Sequence, residues 1–339
     1  MGQSALLDLL RQEHAVLWSE AQAKISDTRW TSLPTRIDPH HLSTARLQLL
    51  RSKRITIVVA STRGGHQVPV MHLADTRGVA TRVATAAARK RALMATLNSW
   101  VSPRPGYRLG LIGEAGERVA RESLRAAAPH GWRVERPDGG EVHTLLGHPV
   151  EGGPLDSAGW VTVVNLVGQP VDSVLCPIEV KNIRHWIYPN APELFQLLYK
   201  AAHLQARHED VKVCPVLITR RKSYSANAMS RELGFRILDV GKQFVLPVAH
   251  VDPAALERIQ NELGFADLTP QDTADPGLTR ALEQVPKTAL QNAANWRSFG
   301  PGLLEQFAEL RSDLSQAKRH AATEELREAV RELGGEARW

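Results

Sequence analysis

Apolar positions Leu6, Leu7, Leu10, Ala15, Val16 and Ala21 fall near one face of a 3.6-residue repeat and predict a helix over residues 3–25. A second helix is predicted over 41–53. The runs ITIVVA (55–60) and QVPVMHL (67–73) are strand-like, and STRGGH between them supplies the turn of a hairpin. Residues 78–99 return to a helical pattern carrying Arg82, Arg89, Lys90 and Arg91. The segment Val101-Ser102-Pro103-Arg104-Pro105-Gly106 then breaks the pattern and predicts a domain boundary.

Beyond it the periodicity changes. LIGEAGERVARESLRAAA (111–128) is helical, and WVTVVNLV (160–167) and SVLCPIEV (173–180) are β-branched runs separated by Gly168-Gln169-Pro170. Residues 192–208 form a helix, VKVCPVLIT (211–219) a strand, 225–234 a helix ended by Gly234, and FRILDV (235–240) a strand. That order predicts an α/β domain with helices covering a mixed sheet. After about 250 the pattern is helical again, over 253–263, 277–293 and 319–333, with no internal repeat. Three consecutive segments follow: a mostly helical N-terminal domain with a hairpin (1–101), an α/β domain (107–249) and a helical C-terminal region (250–339).

Composition narrows the class. With 43% apolar and 23% charged residues in 339, the chain has the balance of a soluble globular protein. No run approaches the roughly 18 apolar residues of a membrane span, so no membrane partner is expected. Asp8 and Glu13 in the first helix argue against a signal peptide. Cys176 and Cys214 are the only cysteines, which excludes a disulfide framework and a Cys-rich zinc site and makes a reducing cytoplasm the expected compartment.

The net charge of +6 conceals a gradient. Residues 1–110 carry 16 basic and six acidic side chains, residues 111–250 carry 16 and 15, and residues 251–339 carry 10 and 15. A basic first third suggests an anionic partner, nucleic acid first, although arginines that only solvate helix faces would give the same count. The acidic helical tail would suit docking of a partner protein or self-association.

Most sequence signatures of chemistry are missing: no G-x-x-x-x-G-K-[ST], H-E-x-x-H, G-x-S-x-G or C-x-x-C occurs. Gly110, Gly113 and Gly116 follow no β-run, and Glu114 and Glu117 beside them would repel a phosphate. His40-His41 have no acid or cysteine in range and read as cap residues. What remains is Pro177-Ile178-Glu179-Val180-Lys181-Asn182 at the end of an apolar strand. Residues i and i+2 of a strand share a face, so Glu179 and Lys181 project together. A surface ion pair would explain them, but a polar pair on a central strand also suits a metal carboxylate beside a water-positioning lysine.

A hard metal needs a second carboxylate. Asp156, ahead of the neighbouring strand, is suitably placed. Asp172 lies seven residues up the same strand, roughly 23 Å from Glu179, and is too far to share an ion. Glu114 and Glu117 are neighbours on one helix, with Glu117 nearer the buried side marked by Ile112, Gly116 and Val119; pairing of Glu117 with Arg121 on a solvated face is the plainer alternative.

Gly113-Glu114-x-Gly116-Glu117 on a helix, Leu155-Asp156 before a strand and Ile178-Glu179-Val180-Lys181-Asn182 at a strand end together resemble the PD-(D/E)XK nuclease superfamily. The pattern is most similar to its nuclease-related (NERD-like) and restriction-endonuclease-like branches, and it covers residues 107–245. The resemblance implies a restriction-endonuclease-like mixed sheet and metal-dependent hydrolysis of phosphodiesters, DNA above all, in microbial DNA processing or defence against foreign DNA. Asp156, Glu179 and the Val180 carbonyl would then hold Mg²⁺ or Mn²⁺, Glu117 would bind a second ion or an outer water, and Lys181 would orient water or stabilise charge on the phosphate. Glu114, Gln196 and Tyr199 are accessory candidates, Gln196 reading equally well as an exposed helix residue. Lys200, Arg220, Arg221 and Lys222, with Arg89, Lys90 and Arg91 of the first segment, are candidates to track a nucleic-acid backbone. His185, Trp186 and Tyr188 follow the E-x-K strand, where packing in the core explains the tryptophan as well as contact with substrate does. The alternative function is a nuclease fold without chemistry that binds nucleic acid or a protein.

Overall fold

His14, at φ 62°, sits in a left-handed backbone conformation that no helix continues through. It ends helix α1 (Gly2–Glu13) and splits the predicted helix 3–25. Val16–Leu17 (β1) then leaves the helical path as a two-residue strand, and the chain re-enters a helix at α2 (Trp18–Gln22). The computed structural model describes residues 1–28, 36–62, 65–136, 140–247 and 249–339; the middle of the predicted hairpin turn, 63–64, lies outside them. Contacts group the chain into two compact units, Met1–Glu114 with Val245–Pro270, and Ala115–Phe244 with Gln271–Trp339.

In the first unit α3 (Pro39–Arg51) starts at Asp38, whose carboxylate accepts the His40 N–H at 2.7 Å. β2 (Ile55–Ser61) and β3 (Gln67–Leu73) form the predicted antiparallel hairpin, with β1 added along β3 in the order β1-β3-β2. α4 (Ala80–Val101) follows. Leu6, Leu9, Leu10, Leu42, Leu49 and Met71 belong to one apolar cluster. A buried ionic cluster accompanies it. Glu20, wholly buried, accepts from Lys24 Nζ (2.8 Å) and Lys90 Nζ (2.5 Å), and Glu13 accepts from the same two lysines at 2.7 and 2.9 Å. Lys24 Nζ also donates to the Glu262 carbonyl at 2.8 Å, so helix Pro253–Glu262 joins this unit rather than the predicted C-terminal region.

The second unit begins within α5 (Gly110–Ala126). Its strands are β4 (Trp132–Val134), the short ladder β5 (Thr144–Leu145) with β6 (His148–Pro149), then β7 (Ser157–Val164) and β8 (Pro170–Lys181). α6 (Pro192–Arg207), β9 (Val216–Thr219), α7 (Tyr224–Leu233) and β10 (Arg236–Asp239) complete the α/β part. The five-stranded sheet runs β10-β9-β8-β7-β4. β4, β7 and β8 are antiparallel neighbours, whereas β9 and β10 lie parallel to β8 after crossovers through α6 and α7. The fold is therefore mixed α/β with several small sheets and helical termini. β4 escapes the hydrophobic pattern because three residues, Trp132-Arg133-Val134, give no period to read.

The chain after 271 is part of this unit. Trp296, Phe307 and Leu326 share one core with Leu194, Phe195 and Leu198 of α6, and Val330 is buried with them. The apolar face of these C-terminal helices is thus covered by the chain itself. Val285–Lys287 forms a 3₁₀ turn with Pro286 inside it, which breaks the predicted helix 277–293 into Pro276–Glu283 and Ala289–Phe299. Among the described residues no helix is long and apolar enough to cross a membrane.

Candidate active site

Val174 to Ile178 of β8 are buried without interruption, as a strand covered on both faces requires. Its end carries the polar pair. Glu179 is only 2% exposed, and Lys181 Nζ donates to its Oε2 at 2.9 Å. The backbone around them is fixed from two sides. Lys181 stands opposite Thr219 of β9, and Thr219 Oγ1 donates to the Lys181 carbonyl at 3.2 Å. Asn182 exchanges hydrogen bonds with the Phe244 main chain, at 2.8 and 2.9 Å. Gly116 of α5 packs on Asn182, where a Cβ would come 2.5 Å from the Asn182 Cβ, so only glycine allows this approach.

β7 starts at Ser157, three residues earlier than its hydrophobic run, and Ser157 pairs with Ile178. Gly159 makes the extension possible: its missing Cβ would stand 3.0 Å from the Arg133 carbonyl and 3.4 Å from the Trp132 ring. Asp156 consequently sits at the strand entrance, where its Oδ2 accepts the Val180 N–H at 2.7 Å. Burial and the neighbouring Glu179 carboxylate push the Asp156 carboxyl up to about 6, against the pull of Lys181 and the Val180 N–H. Burial also pushes Glu179 upward, but Lys181 and Lys200 outweigh it and hold that carboxyl below its ordinary value. For Lys181 burial works downward, and the charges of Glu179 and Asp156 overcome it and raise the ammonium.

A folded-state value of about 6 against 3.8 means that native Asp156 binds a proton the unfolded chain releases between pH 4 and 6. This stabilisation is complete below pH 4 and is lost as pH rises through 6, a swing of up to about 3 kcal/mol. Asp156→Asn keeps an acceptor for Val180 and cannot ionise. In EDTA at pH 7.5 it should melt higher than wild type, by roughly 2–8 °C, and at pH 4 the two should coincide. Thermal circular dichroism at the two pH values checks this; a gain of equal size at both would count against it.

The third contributor comes from α6. Lys200 is buried, and its Nζ donates to Glu179 Oε1 at 2.5 Å and to the Pro154 carbonyl. It was expected at a nucleic-acid backbone and instead joins β8 to the loop that carries Asp156. The same helix holds that loop by shape. A Cβ on Gly152, which has φ +83°, would stand 2.9 Å from the Tyr199 ring, and Arg311 stacks over that ring at 4.3 Å. Tyr199 is therefore a support of the Asp156 loop, while Gln196 is half-buried on the helix between. Glu193, one helical turn earlier, pairs with His185 at 3.2 Å and adds negative charge facing Lys181. Sequence reading passed over Glu193 because one acid in a first helical turn looks like ordinary dipole complement.

Comparison of the chain with protein-family models, with curated proteins and with solved structures finds no match. Glu117 is half-buried on α5 directly after the Gly116 contact, whereas Glu114 is counted with the first unit. Asp172, near the opposite end of β8, pairs with Lys212 at 2.6 Å.

Several cations nominated for a polyanion face inward. Arg220 is 1% exposed and donates to the Arg184 carbonyl, and half-buried Lys222 donates to the Ile237 carbonyl at 2.6 Å. Burial pushes the Lys222 ammonium below its ordinary value. Arg221 is half-buried, 3.8 Å from Asp239. Lys90 lies in the Glu13–Glu20 cluster, Arg89 is exposed but paired with Glu262, and Arg91 donates to the Val58 carbonyl at 3.3 Å. Charge along the chain counts all seven alike; packing gives most of them internal acceptors.

Asp156 and Glu179 carry carboxylate oxygens, the hard donors that Mg²⁺ or Mn²⁺ accepts, and with the Val180 carbonyl they would be the residues to hold such an ion. Among the described residues no group of three or more His, Cys, Asp or Glu side chains is arranged around one point. The fit rests on the carboxylate pair itself: a buried Glu179 beside a half-buried Asp156, close enough to raise the latter, is the arrangement that a hard divalent cation relieves.

Proposed function

We propose that the second unit is a metal-dependent phosphodiesterase of PD-(D/E)XK type acting on nucleic acid, DNA first. One observation carries the reading: an E-x-K pair ends a central strand, and an acid from the entrance of the adjacent antiparallel strand is hydrogen-bonded to the residue between them. The order of α5, the sheet strands β4, β7 and β8 (with the β5–β6 ladder between the first two), α6 and the parallel strand β9 supports it.

In this reading Asp156 and Glu179 would hold the divalent ion, which would supply polarisation of the scissile phosphate and a lowered pKa for a bound water. Lys181, held beside Glu179 by its 2.9 Å bond, orients the attacking water and stabilises negative charge that grows on the phosphate. Val180 and Thr219 keep the two catalytic side chains in register by fixing the backbone on either side of them. The ammonium of Lys200 on Glu179 favours the second reading, a charge-compensated fold that binds without cutting.

The assay uses linear and circular duplex DNA, single-stranded DNA and RNA, each with Mg²⁺, Mn²⁺ or EDTA. Wild type should cleave at least one of them only with metal, and Lys181→Ala should lower the rate by about 10²–10⁴-fold. Equal background cleavage by both proteins would leave the binding module as the better reading.

A further inference from the structure

Both oxygens of Glu179 are held by ammonium groups, Oε2 by Lys181 and Oε1 by Lys200. A cation entering between Asp156 and Glu179 therefore meets a resident positive charge. Of the two lysines, Lys181 is 2.9 Å from Glu179 Oε2, and the charges of Asp156 and Glu193 also favour its ammonium there. Lys200 is differently placed. It also donates to the Pro154 carbonyl, so it keeps a hydrogen-bond partner when it gives up Glu179. Its side chain lines a narrow cleft of about 20 Å³, room for about one water, together with Leu155, Pro177, His203, Leu204 and the carboxylate-bearing Glu151. A lysine on four flexible carbons can make that move, whereas one fixed by a strand pleat has less room.

We propose that Lys200 is a resident cation that competes with the divalent ion for Glu179 Oε1 and gives up that oxygen when metal is loaded. Lys200 is thus a positioning and gating residue of the metal site, and this role rests on the metal-dependent reading above. Without metal it holds Glu179 and the Asp156 loop together; with metal it withdraws toward Pro154 and Glu151.

The test is Mn²⁺ titration by calorimetry of wild type, Lys200→Met, Lys200→Arg and Glu179→Gln, each checked for folding by circular dichroism. Lys200→Met keeps the stem but removes the competitor, and should bind Mn²⁺ at least tenfold more tightly than wild type. Lys200→Arg keeps the charge and should stay within about threefold of wild type. Unchanged or weaker binding by folded Lys200→Met, with binding by wild type and its loss in Glu179→Gln, overturns the competition and leaves the metal site standing. Identical titrations of wild type and Glu179→Gln overturn the metal site and the competition together. A second readout needs no variant. Reductive methylation with formaldehyde and borane, read by peptide mass spectrometry, should modify Lys200 several-fold more in wild type loaded with Mg²⁺ than in EDTA. Equal modification in both would also overturn the proposal.

Discussion

Glu179→Ala should abolish metal-dependent cleavage and destabilise the second unit by about 3–5 kcal/mol. The carboxylate is 2% exposed and accepts from two ammonium groups, each of which would lose its principal counter-charge in a region shielded from water. Removing one member of a buried ion cluster costs more than the cluster contributes, because the remaining charges stay buried without compensation. Asp156 offsets part of this loss: freed from the repulsion of Glu179, it ionises more readily and can accept a lysine. Activity should fall by about 10³-fold or more, the rate equivalent of about 4 kcal/mol of lost transition-state stabilisation. Glu179→Gln, which keeps the shape, separates the effects by losing activity with a smaller stability cost. Urea unfolding and plasmid cleavage measure the two quantities, and a Glu179→Ala protein that unfolds with the wild-type midpoint would show that the lysines do not depend on it.

The second large effect lies outside the candidate site. Glu20→Ala should destabilise the first unit by about 3–5 kcal/mol, because Glu20 is wholly buried between Lys24 and Lys90 and its Oε2 also accepts the Leu17 N–H at 3.2 Å. Glu13 remains to accept both lysines. Burial pushes its carboxyl up, and the hydrogen bonds from Lys24 and Lys90 overcome that and hold it low, yet it is partly exposed and cannot replace the buried oxygens. Glu20→Gln should be milder, since an amide oxygen can still accept from Leu17. Hydrogen exchange at β1 and α2 reads the local loss, and protection equal to wild type would count against the coupling.

The same cluster shows that the charge gradient does not say which cations face solvent. The first third of the sequence holds ten more basic than acidic side chains, but Lys24 and Lys90 are enclosed by acids and Arg89 is paired with Glu262, 173 residues away. The excess that counts for a polyanion is what packing leaves facing solvent. The candidate site was more legible. Glu179 and Lys181 stand two apart on an apolar strand, and period-two geometry alone puts them on one face. Asp156 could be preferred over Asp172 from strand length, and the structure places Asp156 on the Val180 N–H and Asp172 on Lys212. Lys200 was visible only as one more cation on a helix.

The sequence by itself determined the order β7-β8-α6-β9-α7-β10 of the α/β part, the hairpin at 55–73 and the Glu179–Lys181 pair. These depend on local periodicity and on turn residues such as Gly234, whose φ of 84° ends α7. Tertiary structure alone decided the return of residues 253–262 to the first unit, the covering of the C-terminal helices and the inward turn of Lys90, Lys200 and Arg220. The first two follow from apolar burial between residues far apart in the chain, and the third from the cost of burying a charge. A buried charge takes whatever opposite charge or carbonyl the packing brings to it, here across up to 77 residues for Lys90 and 46 for Lys200, and no pattern in the sequence encodes that partner.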